Sequence, residues 1–292
     1  MPGVHSSRRD GRSSDGGPVN PLPDEWARLR AAAPQAHELV FIDGAVQHEL
    51  GGKLAEDASG ALSLFVGLEP EAQALGPWLM SSDTARGVGI DGAARGVNWL
   101  LGRVDLTAAH AHLVPWIVAP LPDGAPRGYV RVADGRTLRA LVSIWHAEQR
   151  TAFFQPWHAW CCGDRDGRAV LLNLPQMKNE DAVAWGDPAL SPAQFGQLCE
   201  ASVPDQLLHQ AKGLVVPHVT LSSRERRHEA ADTLVEYARS IGYDDLDDQF
   251  TLLQWVLKVG TEECRQLGVH TAIVQRLRGA ALWAAFHGTD AT

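Results

Sequence analysis

The apolar run Leu39-Val40-Phe41-Ile42 ends in Asp43-Gly44. This places a carboxylate at the end of a predicted strand, a position where loop residues often carry function. Asp43 would need a second carboxylate or a metal-ligand set to work as an acid or a base, and neither accompanies it in sequence. The structural alternative is that Asp43 ties the following turn or caps the next helix. Other residues with chemical potential fare no better. His110 and His112 are two apart in a predicted helix, a spacing that points them to different faces. Cys161 and Cys162 are adjacent, and neighbours in a strand face opposite ways, which makes joint metal ligation awkward. Gly87-Val88-Gly89 lacks the third glycine of a dinucleotide fingerprint. The chain has no GxSxG elbow, P-loop or HExxH. No metal or cofactor is expected.

Arg131, Asp134 and Arg136 form a different kind of group. Asp134 precedes a predicted helix at Arg136, where its carboxylate would cap free N–H groups and meet the positive end of the helix dipole. Arg131, near the end of a strand, would brace that carboxylate or nearby carbonyls through its several donors. With Asp43, these residues read as a structural junction between strand and helix.

The elements that would position them follow from periodicity and punctuation. Residues 1–22 are rich in Gly, Ser, Arg, Pro and Asp and read as a disordered tail. Residues 23–175 read as a mixed α/β lobe. Strands are predicted at His37–Ile42, Ala61–Val66 and Val97–Val104, and a helix capped by Asp105 should close at Pro115. Leu121-Pro122-Asp123-Gly124 is turn chemistry between Trp116–Ala119 and Gly128–Val132. A second hairpin joins His158–Cys162 to Ala169–Leu174. Such hairpins among helices predict an α+β fold, a mixed β-sheet with packed helices that is not purely parallel.

Residues 176–190 read as a linker, and 191–292 as a small all-helical lobe. Its capping signals are Ser191 with Gln194 and Ser222 with Glu225. Its apolar stripes include Phe250, Leu253, Leu257, Gly260 and Cys264, then Ile273, Leu277, Ala280 and Ala281. Trp255 is two residues from Leu253 and from Leu257, so it should point away from that stripe and stand exposed as a partner-binding anchor; the alternative is core packing.

The chain has 292 residues and a formal net charge of -9. That balance disfavours nucleic acid and anionic membranes as partners. Four cysteines without paired spacing read as reduced thiols. Without a run of about 18 apolar residues or a secretory signal, the expected location is cytoplasmic.

The order of short motifs resembles the type VI secretion adaptor, or effector-chaperone, family. It runs Leu39-Val40-Phe41-Ile42-Asp43-Gly44-Ala45, Leu64-Phe65, Gly76-Pro77-Trp78-Leu79 and the helix at Asp105-Leu106. It continues with Pro122-Asp123-Gly124, Tyr129-Val130-Arg131-Val132-Ala133-Asp134-Gly135-Arg136 and Leu138, and ends in Glu148-Gln149 and Phe153-Phe154-Gln155-Pro156. The resemblance covers roughly residues 37–165. The family has proline where this chain has Gly135. The resemblance implies a non-catalytic protein that binds a secreted effector in the cytosol and promotes its loading onto the VgrG spike. The competing expectations are a hydrolase using Asp43 or a cysteine, and an immunity protein that binds a toxin.

Overall fold

The computed structural model describes residues 20–58, 60–120, 122, 128–175, 188–213, 221–259 and 275–288. By proximity the chain divides into two units. The first holds the sheet and its helices. The second contains Ala189–Thr292 and draws in Ala140–Trp145 from the sheet-forming half.

The first unit opens with α1 (Asp24–Ala32), β1 (His37–Asp43), α2 (His48–Glu56), β2 (Leu62–Ser63), α3 (Pro70–Leu75), β3 (Pro77–Ser81), α4 (Ser82–Gly87) and β4 (Val97–Gly102). It continues with α5 (Leu106–Ile117), β5 (Val118–Ala119), β6 (Gly128–Tyr129), α6 (Gly135–Ile144, whose residues from Ala140 on belong to the second unit), α7 (Ala147–Phe154), β7 (Trp157–Gly163) and β8 (Ala169–Leu171). Six strands form one sheet in the order β2-β3-β1-β4-β7-β8, and every pairing in it is antiparallel. The class is α+β, as the hairpin signals predict.

β1 lies inside the sheet, so it is buried on both faces and reads as a continuous apolar run. Val40 and Ile42 face one core with Trp26, Trp78, Met80, Val97 and Trp99. Successive side chains alternate across a strand, so Phe41 faces the other side. There it meets Trp160 edge-on at 6.1 Å between ring centres. Phe153 and Phe154 of α7 lie 5.3 and 5.8 Å from the same indole. Trp78, Trp99, Trp116, Trp145, Trp157 and Trp160 are all buried.

Several local expectations need correction. Residues 20–22 are not loose. Asn20 forms a bridge to Ala93, and its side-chain N–H donates to the Gly167 carbonyl at 2.9 Å. Residues 1–19 lie outside the described residues. The strand predicted at Ala61–Val66 shrinks to Leu62–Ser63. Helix α5 does not stop at Pro115 but runs on to Ile117. Pro115 is exposed, and so is Ala111 one turn back, so water can take the carbonyl that the missing N–H would have engaged. Buried Trp116 and Ile117 hold the last turn down. The hairpin predicted from Trp116–Ala119 and Gly128–Val132 forms but is shorter, pairing only Val118–Ala119 with Gly128–Tyr129, and its turn, apart from Pro122, lies outside the described residues.

The second unit is helical, with α8 (Pro192–Gln210), α9 (Arg224–Ser240), α10 (Leu246–Val259) and α11 (Gly279–Gly288). Ser191 and Gln194 form the predicted capping box on α8. The cap of α9 is Ser223, not Ser222; its hydroxyl accepts from the Arg226 N–H at 3.1 Å. Leu234, Val235, Leu252, Leu253 and Leu257 build the core with Leu282 and Phe286 of α11. Ala280 and Ala281 are exposed instead, so the stripe predicted on them is displaced toward Leu282. Gly260, Cys264 and Ile273 lie outside the described residues.

Trp255 is only 5 % exposed and packs edge-on against Phe286 at 5.7 Å. The expectation of an exposed anchor on α10 is therefore corrected. This helix buries Leu252, Leu253, Trp255, Val256 and Leu257, most of its circumference, because α8, α9 and α11 all pack against it. A stripe argument assumes one covered face, and a helix apolar all round is a buried one.

Candidate functional site

A buried polar cluster of the sheet unit joins Asp43, Arg131, Asp134 and Arg136. Asp43 is the last residue of β1 and is fully buried. Its Oδ1 accepts the Val46 N–H at 3.1 Å, which closes the turn into α2. Arg131 follows β6 and grips the same carboxylate. Its Nε donates to Oδ2 at 3.1 Å, and its Nη2 reaches Oδ1 at 2.9 Å and Oδ2 at 3.0 Å. Both oxygens are thus occupied, in the forked geometry that suits guanidinium and carboxylate.

Asp134 stands at the start of α6. Its Oδ1 accepts the backbone N–H of Arg136 at 3.0 Å and the Arg136 Nε at 3.0 Å. Its Oδ2 accepts the Arg136 Nη2 at 2.6 Å, and Arg131 approaches the same oxygen at 3.7 Å. Two carboxylates and two guanidiniums therefore alternate where the end of β1 meets the start of α6. The sequence places Arg131 beside Asp134. In the structure its main partner is Asp43, 88 residues away in the chain, a separation that no local spacing rule reaches.

Electrostatics separates the two acids. Burial pushes the Asp43 carboxyl above its ordinary value, even against the pull of Arg131. Asp134 is also desolvated, but the Arg136 hydrogen bonds and charge outweigh burial and hold it below 3.8. A lowered folded value means that the stability Asp134 contributes is complete above its unfolded value and is lost as pH falls through the folded one. Asp134→Ala should therefore lower stability by about 1–2 kcal/mol at neutral pH, through lost capping and a lost charged partner. The gap to the parent protein should narrow on acidification below 3.8. Urea midpoints at pH 7 and pH 3 check this; a gap independent of pH would contradict it.

Buried Asn98 fastens the neighbouring layer. Its Nδ2 donates to the Phe41 carbonyl at 3.1 Å and to the Ala133 carbonyl at 2.7 Å. Its Oδ1 accepts the Trp160 Nε1–H at 3.1 Å. Sequence reasoning passed over Asn98. The available signal was an amide inside the otherwise apolar run Val97-Asn98-Trp99-Leu100-Leu101, since a buried polar group needs partners.

Glycines set the closest approaches. A Cβ at Gly44 would collide with the Ala74 carbonyl oxygen. One at Gly135 would sit 2.7 Å from the Gly163 carbonyl oxygen and 3.2 Å from the Cys162 Cβ. Proline carries a Cβ too, which gives a physical reason for glycine at this departure from the adaptor pattern.

The remaining candidates are occupied elsewhere. His112 is buried, held below its ordinary pKa by desolvation, and bonds the Phe153 carbonyl through Nε2 at 2.8 Å. His110 bonds the Ser63 carbonyl at 2.9 Å. Burial pushes the Cys161 and Cys162 thiols up to about 12, far from the thiolate a nucleophile needs. Cys199 is exposed. Among the described residues no group of three His, Cys, Asp or Glu side chains converges, and no helix is long and apolar enough to cross a membrane.

One surface feature was not anticipated. The β2–α3 loop and α3 expose Val66, Leu68 and Leu75 at 67, 49 and 46 %. Phe65, next in the chain to Val66, stacks edge-on with Tyr129 at 4.7 Å. Contiguous apolar groups on a surface mark contact sites more often than isolated ones do.

A family model described as a domain of unknown function, DUF4123, matches residues 40–152. The match begins in β1, ends in α7, and contains all four residues of the charged junction. DUF4123 is associated with type VI secretion adaptors and chaperones, the same family that the motif order resembles. Neither curated proteins nor solved structures gave a match to the chain.

Proposed function

We propose that this protein is a non-catalytic, cytoplasmic adaptor that binds a type VI secretion effector and promotes its loading onto the VgrG spike. The observation that carries the reading is the DUF4123 match over residues 40–152, laid over the stretch where the adaptor motifs occur in order. The site geometry supports it. Asp43 has both oxygens engaged by Arg131 and the Val46 N–H. A hydrolase would need that carboxylate open to substrate or water; here it holds a strand end to a helix start. The exposed residues Val66, Leu68 and Leu75 offer apolar area of the kind a client protein covers.

The test is affinity purification of the tagged full chain from cells with an active secretion system, with identification of what co-purifies. The expected result is one large effector encoded beside a spike gene, recovered in near-stoichiometric amount. Recovery of a toxin encoded immediately upstream, together with loss of that toxin's activity, would point to immunity and against the adaptor.

A further inference from the structure

Among the described residues β8 is an edge of the six-stranded sheet. It pairs with β7 through Cys161↔Leu171, Cys162↔Val170 and Gly163↔Ala169. Two flanking bonds fix the phase: the Asp164 N–H donates to the Arg168 carbonyl, and the Leu172 N–H to the Trp160 carbonyl, each at 2.8 Å. Bonded and non-bonded pairs alternate in an antiparallel ladder. Arg168, Val170 and Leu172 therefore turn their main-chain groups toward β7, and Ala169, Leu171 and Asn173 turn theirs outward. Among the described residues these outward groups meet no partner.

Edges of this kind are usually blunted by charged side chains, proline or a bulge, because a bare edge recruits strands. Here Ala169, Val170, Leu171 and Leu172 are apolar and half-buried, and proline appears only at Pro175. Beside the edge lies a groove of about 540 Å³ whose wall includes Leu29, Arg103, Trp157, Leu172 and Leu174. The Trp157 Nε1–H is buried and has no acceptor among the described residues. Arg103 is exposed and its guanidinium makes no hydrogen bond or ion pair among the described residues. Arg168, at the start of the edge, is already engaged, with its Nη1 3.9 Å from Asp166 Oδ2. Glu25 is on the same wall, so the pull on an anion is modest and the main-chain ladder carries most of the recognition. Unmet main-chain groups on alternate residues and the unpaired Arg103 guanidinium beside them describe one ligand chemistry: an extended polypeptide bearing a carboxylate. A second copy of this chain fits less well, since self-pairing would bring the same arginines of two copies onto one small contact.

We propose that the outer edge of β8 receives an extended, carboxylate-bearing segment of the client protein by strand addition. The proposal rests on the adaptor reading for the identity of the client, though the edge chemistry can be tested without it. The probe is acetyl-Thr-Val-Glu-Val-Thr-Val-amide, titrated into the full chain while amide exchange is followed at Ala169, Leu171 and Asn173. Saturation should slow exchange at those three amides. The same peptide N-methylated at alternate residues should bind at least tenfold more weakly, and Arg103→Glu should reverse the preference for glutamate over lysine at the third position. Leu171→Pro removes an outward donor while leaving the β7 ladder intact and should weaken binding about tenfold; Asn173→Pro, at an exposed site, serves if the first variant fails to fold. Equal binding of the N-methylated peptide would overturn the proposal. So would unprotected amides at saturation, or a concentration-dependent dimer that Leu171→Pro abolishes. Capture of the effector at parental affinity by both proline variants would also overturn it and leave the adaptor reading standing. Probe binding at the edge in a protein that captures no effector would uphold the edge and remove the adaptor.

Discussion

Replacing Arg131 by alanine is expected to destabilise the sheet unit by about 3 kcal/mol, near the lower end for breaking a buried ion pair because the guanidinium is partly exposed. The loss comes less from the pair itself than from what remains: the Asp43 carboxylate, fully buried, keeping only the Val46 N–H. Lysine should rescue poorly, since a single ammonium cannot reproduce the fork on both oxygens. The effect has a pH signature. Burial already raises the Asp43 pKa, and removal of Arg131 raises it further. An acid with a raised folded value favours the folded state at low pH and loses that contribution as pH rises through the folded value. Arg131→Ala should therefore regain part of its stability as pH falls from neutral toward 3.8. Asp43→Asn combined with Arg131→Ala should be milder than Arg131→Ala alone, because no bare charge is left behind. Denaturant midpoints across this series measure all three statements. An Arg131→Ala variant as stable as its parent at pH 7 would show that the junction is not structural.

Trp160→Ala should cost more, about 4–5 kcal/mol, at the upper end for removal of a large buried aromatic. Trp160 has no exposed surface and lies among Phe41, Phe153, Phe154 and Trp157, with ring centres 5.3–6.1 Å away. Its truncation opens a cavity under β1 and also strips the Asn98 Oδ1 of its donor. Trp160→Phe keeps much of the volume and loses the hydrogen bond, so about 1–2 kcal/mol is expected. Asn98→Asp should fall between the two variants, because it buries a charge without a counter-ion. Thermal melting resolves the order; a Trp160→Phe variant as damaged as Trp160→Ala would make the hydrogen bond, not the packing, the larger part.

What the sequence revealed is what lies close along the chain. The apolar run of β1, the Asp105 cap, the β7–β8 hairpin and the Ser191 capping box all depend on neighbours within a few residues, and each appears in the structure. The Asp43–Arg131 pair spans 88 positions, and the sheet order sets β3 and β4 on either side of β1. Neither follows from local spacing. Trp255 misled for a related reason: the position of a residue on a helix gives its direction, but not how many sides of that helix are covered. At Pro115 the helix-breaking tendency was real, but burial of Trp116 and Ile117 outweighed it. Asn98 was hidden because one amide in an apolar strand is silent until its partners, Phe41, Ala133 and Trp160, are brought to it.

The adaptor reading is tested most directly by secretion from a strain lacking only this gene. The culture medium and the cells are blotted for the effector encoded beside the spike gene and for VgrG itself, with the gene restored in trans as the control. If this protein loads an effector, that effector should vanish from the medium and persist in, or be degraded within, the cells, while VgrG is released at the parental level. Undiminished effector in the medium would contradict the account, and simultaneous loss of VgrG would make the protein a part of the secretion machine instead of an adaptor for its cargo.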